Sequence, residues 1–154
     1  MPGQKILLPY NFTLQDQKAV GFLLRNFSQQ PDTEVILFHA FTPVPKFEMH
    51  EARVMEKLKS NLSYLHSQAA EHAKALEKLK IELQKEGFGE DRVRLTNKPR
   101  KKEIAAEIID YAHQENCDII LMNHKPGKTT RFFSGNAYSK VIAGVRGATV
   151  CVVT

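Results

Sequence analysis

Four short apolar runs restrict this chain to very few architectures. They are KILLP (Lys5 to Pro9), EVILFHAF (Glu34 to Phe41), DIILM (Asp118 to Met122) and ATVCVVT (Ala148 to Thr154). A strand that is apolar on both faces must be covered on both faces, and that is the environment of a parallel sheet. A fifth run, RVRLT (Arg92 to Thr96), alternates apolar and polar residues and suits a sheet edge. The segments between the runs carry helical periodicity. Ala19, Val20, Leu23, Leu24 and Phe27 form one apolar face behind Thr13, which is placed to cap that helix. Ile104, Ala105, Ile108, Ile109 and Ala112 form another, with Pro99 at the helix start, and Ala137 to Ala143 is a short fourth helix. Strands and helices therefore alternate as βαβαβαβαβ. The chain reads as an α/β protein with a parallel sheet and right-handed crossovers. With 42% apolar residues in 154 it can bury a substantial core, and no linker, repeat or low-complexity stretch divides it. One domain spanning residues 1–154 is expected.

The longest helical pattern runs from about Met49 to Glu86. Met55, Leu58, Leu62, Leu65, Ala69, His72, Leu76, Leu79 and Leu83 step by three and four in alternation. A coiled-coil arm and a long helix laid on the sheet with overhanging ends both fit this stripe. Alanine and histidine in its middle favour the second. Gly87 is expected to terminate the helix as its C′ residue.

Several function classes are disfavoured. No run approaches the roughly 18 apolar residues of a membrane span. The amino-terminal residues pass directly into an apolar strand without a signal-peptide cleavage pattern, so a cytoplasmic protein is expected. The formal charge of +5 arises largely from NKPRKK (Asn97 to Lys102) and from Lys125, Lys128 and Arg131. No aromatic residues interleave with the basic run, so a solvated helix start and an anion-binding loop are preferred to nucleic-acid binding. Cys117 and Cys151 lack the spacing of a zinc site and read as small core residues. His66 and His72 do not share a helix face in a metal-binding spacing. His39 reads as a hydrogen-bonded core residue, and His124 falls in a loop. There is no nucleophile elbow or catalytic-triad pattern. No catalytic or metal-ligating residue is assigned, and the chain is not expected to be an enzyme.

The stretch from Asp118 to Gly144 raises the question of a phosphate loop. Gly127-Lys128-Thr129 matches the last three positions of a Walker A motif, but Met122 stands where the first glycine belongs and Pro126 removes a backbone donor. The Walker A reading fails. A helix beginning near Ser134-Gly135-Asn136 still presents unpaired N–H groups to an anion, with Gly135 permitting close approach. An ordinary capped helix start accounts for the same residues.

KILLPYNFT, EVILFHAFTPVP, DIILM and GNAYSKVI…ATVCVV, taken in order along the whole chain, resemble the universal stress protein family. The resemblance implies a three-layer α/β sandwich with a five-stranded parallel sheet in the order 3-2-1-4-5, commonly a homodimer acting in stress responses. One branch of that family binds ATP through a loop of Gly, two residues, Gly, nine residues, Gly, then Ser or Thr. Here Asn123 stands at the first glycine, and Gly127 is displaced by one residue. Seven residues separate Gly127 from Gly135, and Asn136 replaces the Ser or Thr. The nucleoside-contacting Asp of that branch corresponds to Asn11, and the residue whose backbone meets adenine corresponds to Ala40. Lys125, Lys128 and Arg131 add positive charge near the phosphates. ATP or a related nucleotide, with Mg²⁺, is therefore the ligand implied at the carboxyl ends of the first and fourth strands, held by Asn11, Ala40, Asn123, Gly127, Lys128, Gly135 and Asn136. The alternative is a dimeric interaction protein with a vestigial pocket plugged by Tyr10 or Phe132. The apolar last strand, at a sheet edge, should be covered by a second copy.

Overall fold

The structure, a computed structural model, describes residues 3–45, 52–124 and 137–154, the side chains of 52–55 excepted. The start of the long helical pattern at Met49, the side chain of Met55, and Gly127, Lys128, Gly135 and Asn136 lie outside the described residues.

Five strands, β1 (Gln4–Pro9), β2 (Thr33–Phe41), β3 (Val93–Pro99), β4 (Ile119–Asn123) and β5 (Thr149–Val153), form one sheet in the order β3-β2-β1-β4-β5. Every pairing is parallel. Ile6 lies between Val35 and Ile119, Val35 pairs with Val93, and Ile119 pairs with Thr149. Three of the four continuous apolar runs form the central strands, the alternating run lies at one edge, and the fourth apolar run, β5, lies at the other. The central three are placed as burial on two faces of a parallel sheet requires.

Side-chain alternation in the strands creates two cores. Ile6, Leu8, Val35, Leu37 and Leu121 point to one face. They pack there against Ala19, Val20 and Leu23 of α1 (Asp16–Phe27) and Leu76, Leu79 and Leu83 of α2 (Ala52–Leu83). Leu7, Ile36, Phe38, Ile120 and Met122 point to the other. They meet Ala105, Ile108 and Tyr111 of α3 (Ile104–Gln114) and Val141 of α4 (Ala137–Gly144). The result is the three-layer α/β arrangement expected from the sequence. Cys117 is buried, Cys151 is half-buried, and both thiols are free. Burial pushes the Cys117 thiol up to about 11, so it stays protonated near neutral pH.

Three local expectations are corrected. Thr13 does not cap α1 through its hydroxyl; instead Asp16 reaches back and accepts the Thr13 backbone N–H at 2.6 Å. The bond closes the turn that leads into α1, whose N-cap is Gln15. Pro99 closes β3, paired with Phe41, and α3 begins only at Ile104. A proline at the end of an edge strand costs no ladder bond on its open side. Gly87 does not end α2 as a simple C′ residue. The helix passes into a π turn (Gln84–Phe88) in which Gly87 has φ 134°, and Gly89, at φ 75°, ends it by donating to the Gln84 carbonyl.

The heptad stripe of α2 divides in two. Leu76, Leu79 and Leu83 are in the core, whereas Leu58 and Leu62 are half-buried and Leu65 is 39% exposed. The helix lies on the sheet by its carboxyl-terminal third and extends past it.

Candidate functional site

The carboxyl ends of β1 and β2 open into a cleft of about 520 Å³ beneath the middle of α2. Its size falls in the range of about 300–1,000 Å³ typical of small-molecule sites. The end of β1 contributes Asn11 and Phe12, and the end of β2 contributes His39 to Phe41. Thr42 to Pro45 form one wall; Leu65, Gln68, Ala69 and His72 of α2 form another, and Ile104 of α3 closes the base. Among the described residues, none that lines the cleft is Asp, Glu, Lys or Arg. The interior is apolar, with a few neutral polar groups.

The β1 end is built by one buried acid. Tyr10 continues the sheet by donating its N–H to the Phe38 carbonyl at 2.8 Å. The chain then turns, and Phe12 takes φ 61°, a left-handed conformation unfavourable for a bulky aromatic residue. The residues on either side of it are tied to Asp16. Its Oδ2 accepts the N–H of Asn11 at 3.2 Å and of Thr13 at 2.6 Å. Asp16 Oδ1 accepts Nδ2 of Asn123, at the end of β4, at 2.6 Å. Asp16 is only 1% exposed, so its charge is balanced by these donors and by its place in the first turn of α1.

The clamp aims the Phe12 ring into the cleft. Phe12 stacks on His72, with centroids 3.9 Å apart and planes 8° from parallel. It meets His39 edge-on at 4.9 Å and Tyr10 edge-on at 5.0 Å. The His39 Nδ1 lies 2.7 Å from the Tyr10 carbonyl. A carbonyl only accepts, so Nδ1 carries the proton and Nε2 is left as an acceptor. Burial pushes the His39 imidazole below its ordinary value, against a smaller upward pull from the Tyr10 carbonyl. Near neutral pH the ring is uncharged.

Two of the site residues read from the sequence, Asn11 and Ala40, line this cleft. Asn123 does not. It stands behind Asp16, its amide committed to that carboxylate, so a side chain occupies the position where the nucleotide-binding branch has a glycine. Tyr10 does not line the cleft either; its hydroxyl accepts a hydrogen bond from Gln17 at 3.3 Å, and Phe12 supplies the aromatic wall instead. His124 packs against Tyr138 at 4.5 Å. Asp16, Phe12 and His72 were not singled out as site residues in the sequence. An Asp three residues after Thr13 is the only sequence signal for the first.

Two of the four basic residues from the end of β3 to the start of α3 are ion-paired among the described residues. Lys98 pairs with Glu107 at 2.9 Å, Lys102 with Asp110 at 2.6 Å, and Lys140 of α4 with Glu103 at 2.8 Å. Glu107 also accepts the backbone N–H groups of Lys101 and Lys102.

A match to the model of the universal stress protein family covers residues 3–152. The chain belongs to the universal stress protein family. Solved members share its fold. The universal stress protein UspA from Lactobacillus plantarum is 17% identical with a TM-score of 0.69, over 100% of this chain and 99% of that one. The universal stress protein from Archaeoglobus fulgidus in complex with dAMP is 14% identical with a TM-score of 0.60, over 100% of both chains. A universal stress protein family protein from Arabidopsis thaliana, solved with AMP bound, is 11% identical with a TM-score of 0.62, over 97% of this chain and 90% of that one. Among curated protein sequences there is no significant match. At these identities the likeness to solved universal stress proteins establishes the fold.

Proposed function

We propose that this universal stress protein is a stress-response regulator that binds an adenine nucleotide, with the base in the cleft over the ends of β1 and β2. The observation that carries the reading is the cleft itself: Asn11, just past β1, and Ala40, near the end of β2, line one apolar, aromatic-walled space of nucleobase-accommodating size. An uncharged interior suits a base rather than a phosphate. The A. fulgidus and A. thaliana relatives, solved with dAMP and AMP, support the same ligand class. Asn11 offers the ribose an acceptor and donors but no charge-assisted bond. The phosphates, of ATP or a related nucleotide with its Mg²⁺, fall to Gly127, Lys128, Gly135 and Asn136, as the family resemblance implies. Binding is the activity, and no catalytic step is assigned. We place the protein in the cytoplasm as a homodimer joined along β5.

Calorimetry on nucleotide-stripped protein tests this with AMP, and with ATP in the presence and absence of Mg²⁺. Ala69 is exposed on α2 and lines the cleft, so Ala69→Trp fills the space with little cost to folding. Micromolar binding of at least one nucleotide, weakened at least about tenfold (1.4 kcal/mol) in the variant, is expected. Absence of heat with every nucleotide, from folded protein, overturns the reading.

A second reading, an interaction protein without a nucleotide, is favoured by one observation: Asn123 is bonded to Asp16 where the loop motif has glycine. Under it, the same titrations are silent.

A further inference from the structure

The cleft contains a hydrogen-bonding group to which the family motif assigns no role. His39 lies on β2, one residue before Ala40, and its imidazole lines the cleft. The Tyr10 carbonyl holds its Nδ1 at 2.7 Å and thereby sets the tautomer of the neutral ring. Nε2 has no hydrogen-bond partner among the described residues. The rings beside it, Phe12 at 4.9 Å and His72 at 6.1 Å, both meet it edge-on. A held acceptor in a mostly apolar space discriminates strongly, because a ligand unable to donate leaves it desolvated and unpaired.

We propose that His39 selects the ligand, its Nε2 accepting a hydrogen bond from an N–H on the edge of a planar heteroaromatic ring, so that the cleft takes an aminopurine in preference to the same purine without its amino group. The neutral state of the half-buried imidazole is what makes Nε2 an acceptor. This inference rests on the cleft being the base site of the proposed function, and it adds the residue that reads the base.

The probes are adenosine and purine riboside, which is the same nucleoside without the amino group. Wild-type protein should prefer adenosine by about tenfold or more, the cost of leaving one buried acceptor unpaired. His39→Asn keeps a side-chain donor for the Tyr10 carbonyl and removes the Nε2 acceptor. In it the preference should fall to within about twofold, with purine riboside affinity little changed. In wild-type protein labelled with ¹⁵N-histidine, the Nε2 resonance of His39 should shift on adding adenosine and stay in place with purine riboside. Equal binding of the two nucleosides by wild-type protein, or an adenosine preference that survives in His39→Asn, overturns the role of His39 and leaves the base site standing. No binding of either nucleoside overturns the base site and this inference together.

Discussion

Asp16 is the residue on which the site depends. Its carboxylate ties the β1 end to the β4 end and holds Phe12 in an unfavourable backbone conformation through both neighbours. Asp16→Ala removes three hydrogen bonds to part-buried donors and releases that turn, so a loss of about 1–3 kcal/mol is expected in urea unfolding. A change below about 0.5 kcal/mol, the size of an ordinary surface substitution, would show that the clamp does not restrain the turn. Glu107 makes the corresponding pH prediction. The Lys98 ammonium and the N–H groups of Lys101 and Lys102 hold its carboxyl down to about 2, from an ordinary 4.5. A depressed folded-state value means that this contribution is complete above the unfolded value and is lost as the carboxylate is protonated. Stability should therefore decline between about pH 4.5 and 2, and Glu107→Gln should flatten the pH dependence of unfolding there. An identical acid limb in the variant would contradict the assignment. Asn11 and Ala40 were reached through the family resemblance, which aligns them with nucleotide-contacting positions just past the first strand and near the end of the second. The sequence did not point to Phe12, because a left-handed aromatic residue is held by a partner four residues away, and no propensity predicts it.

At the scale of elements, α2 shows how far periodicity reaches. The stripe from Leu58 to Leu83 is regular in sequence, yet only its last third is buried. Periodicity reports a face, and the length of the sheet decides how much of that face is covered. Leu83→Ala should cost about 2–5 kcal/mol, as for a core leucine, while Leu65→Ala should cost less than about 1 kcal/mol. Similar losses at both positions would mean that the amino-terminal part of α2 is packed in solution. Gly87 marks where the helix turns into β3. A Cβ there would lie 3.1 Å from the Ser28 Cβ at φ 134°, so Gly87→Ala should destabilise by about 1–3 kcal/mol, read as a drop in Tm. The strand order was implied by collinear motifs, and the two layers of helices followed from apolar runs that need cover on both faces. Thr13 and Pro99 were misassigned because caps and breakers mark a boundary without saying which neighbour makes the bond.

For the whole molecule, the sheet ends at β5, whose residues Val150 to Val153 are half-buried within a single chain. An apolar edge of this kind is a template for pairing. Sedimentation equilibrium should therefore find a dimer, and a charge placed on that edge by Val152→Lys should shift it toward monomer. A wild-type monomer at all concentrations would remove β5 as an interface. The edge is legible in the one stretch ATVCVVT, but the cleft cannot be read from any single stretch of sequence. The cleft joins residues near positions 11, 40, 70 and 104 only after five strands have been ordered. The central claim is that this cleft, between the β1 and β2 ends and α2, receives the base. A crystal structure of the protein grown with AMP tests it most directly. The account predicts the adenine ring bounded by Phe12, His39, Ala40 and Ala69, with its amino edge toward His39. AMP bound elsewhere on the molecule, with the cleft unchanged, would contradict it.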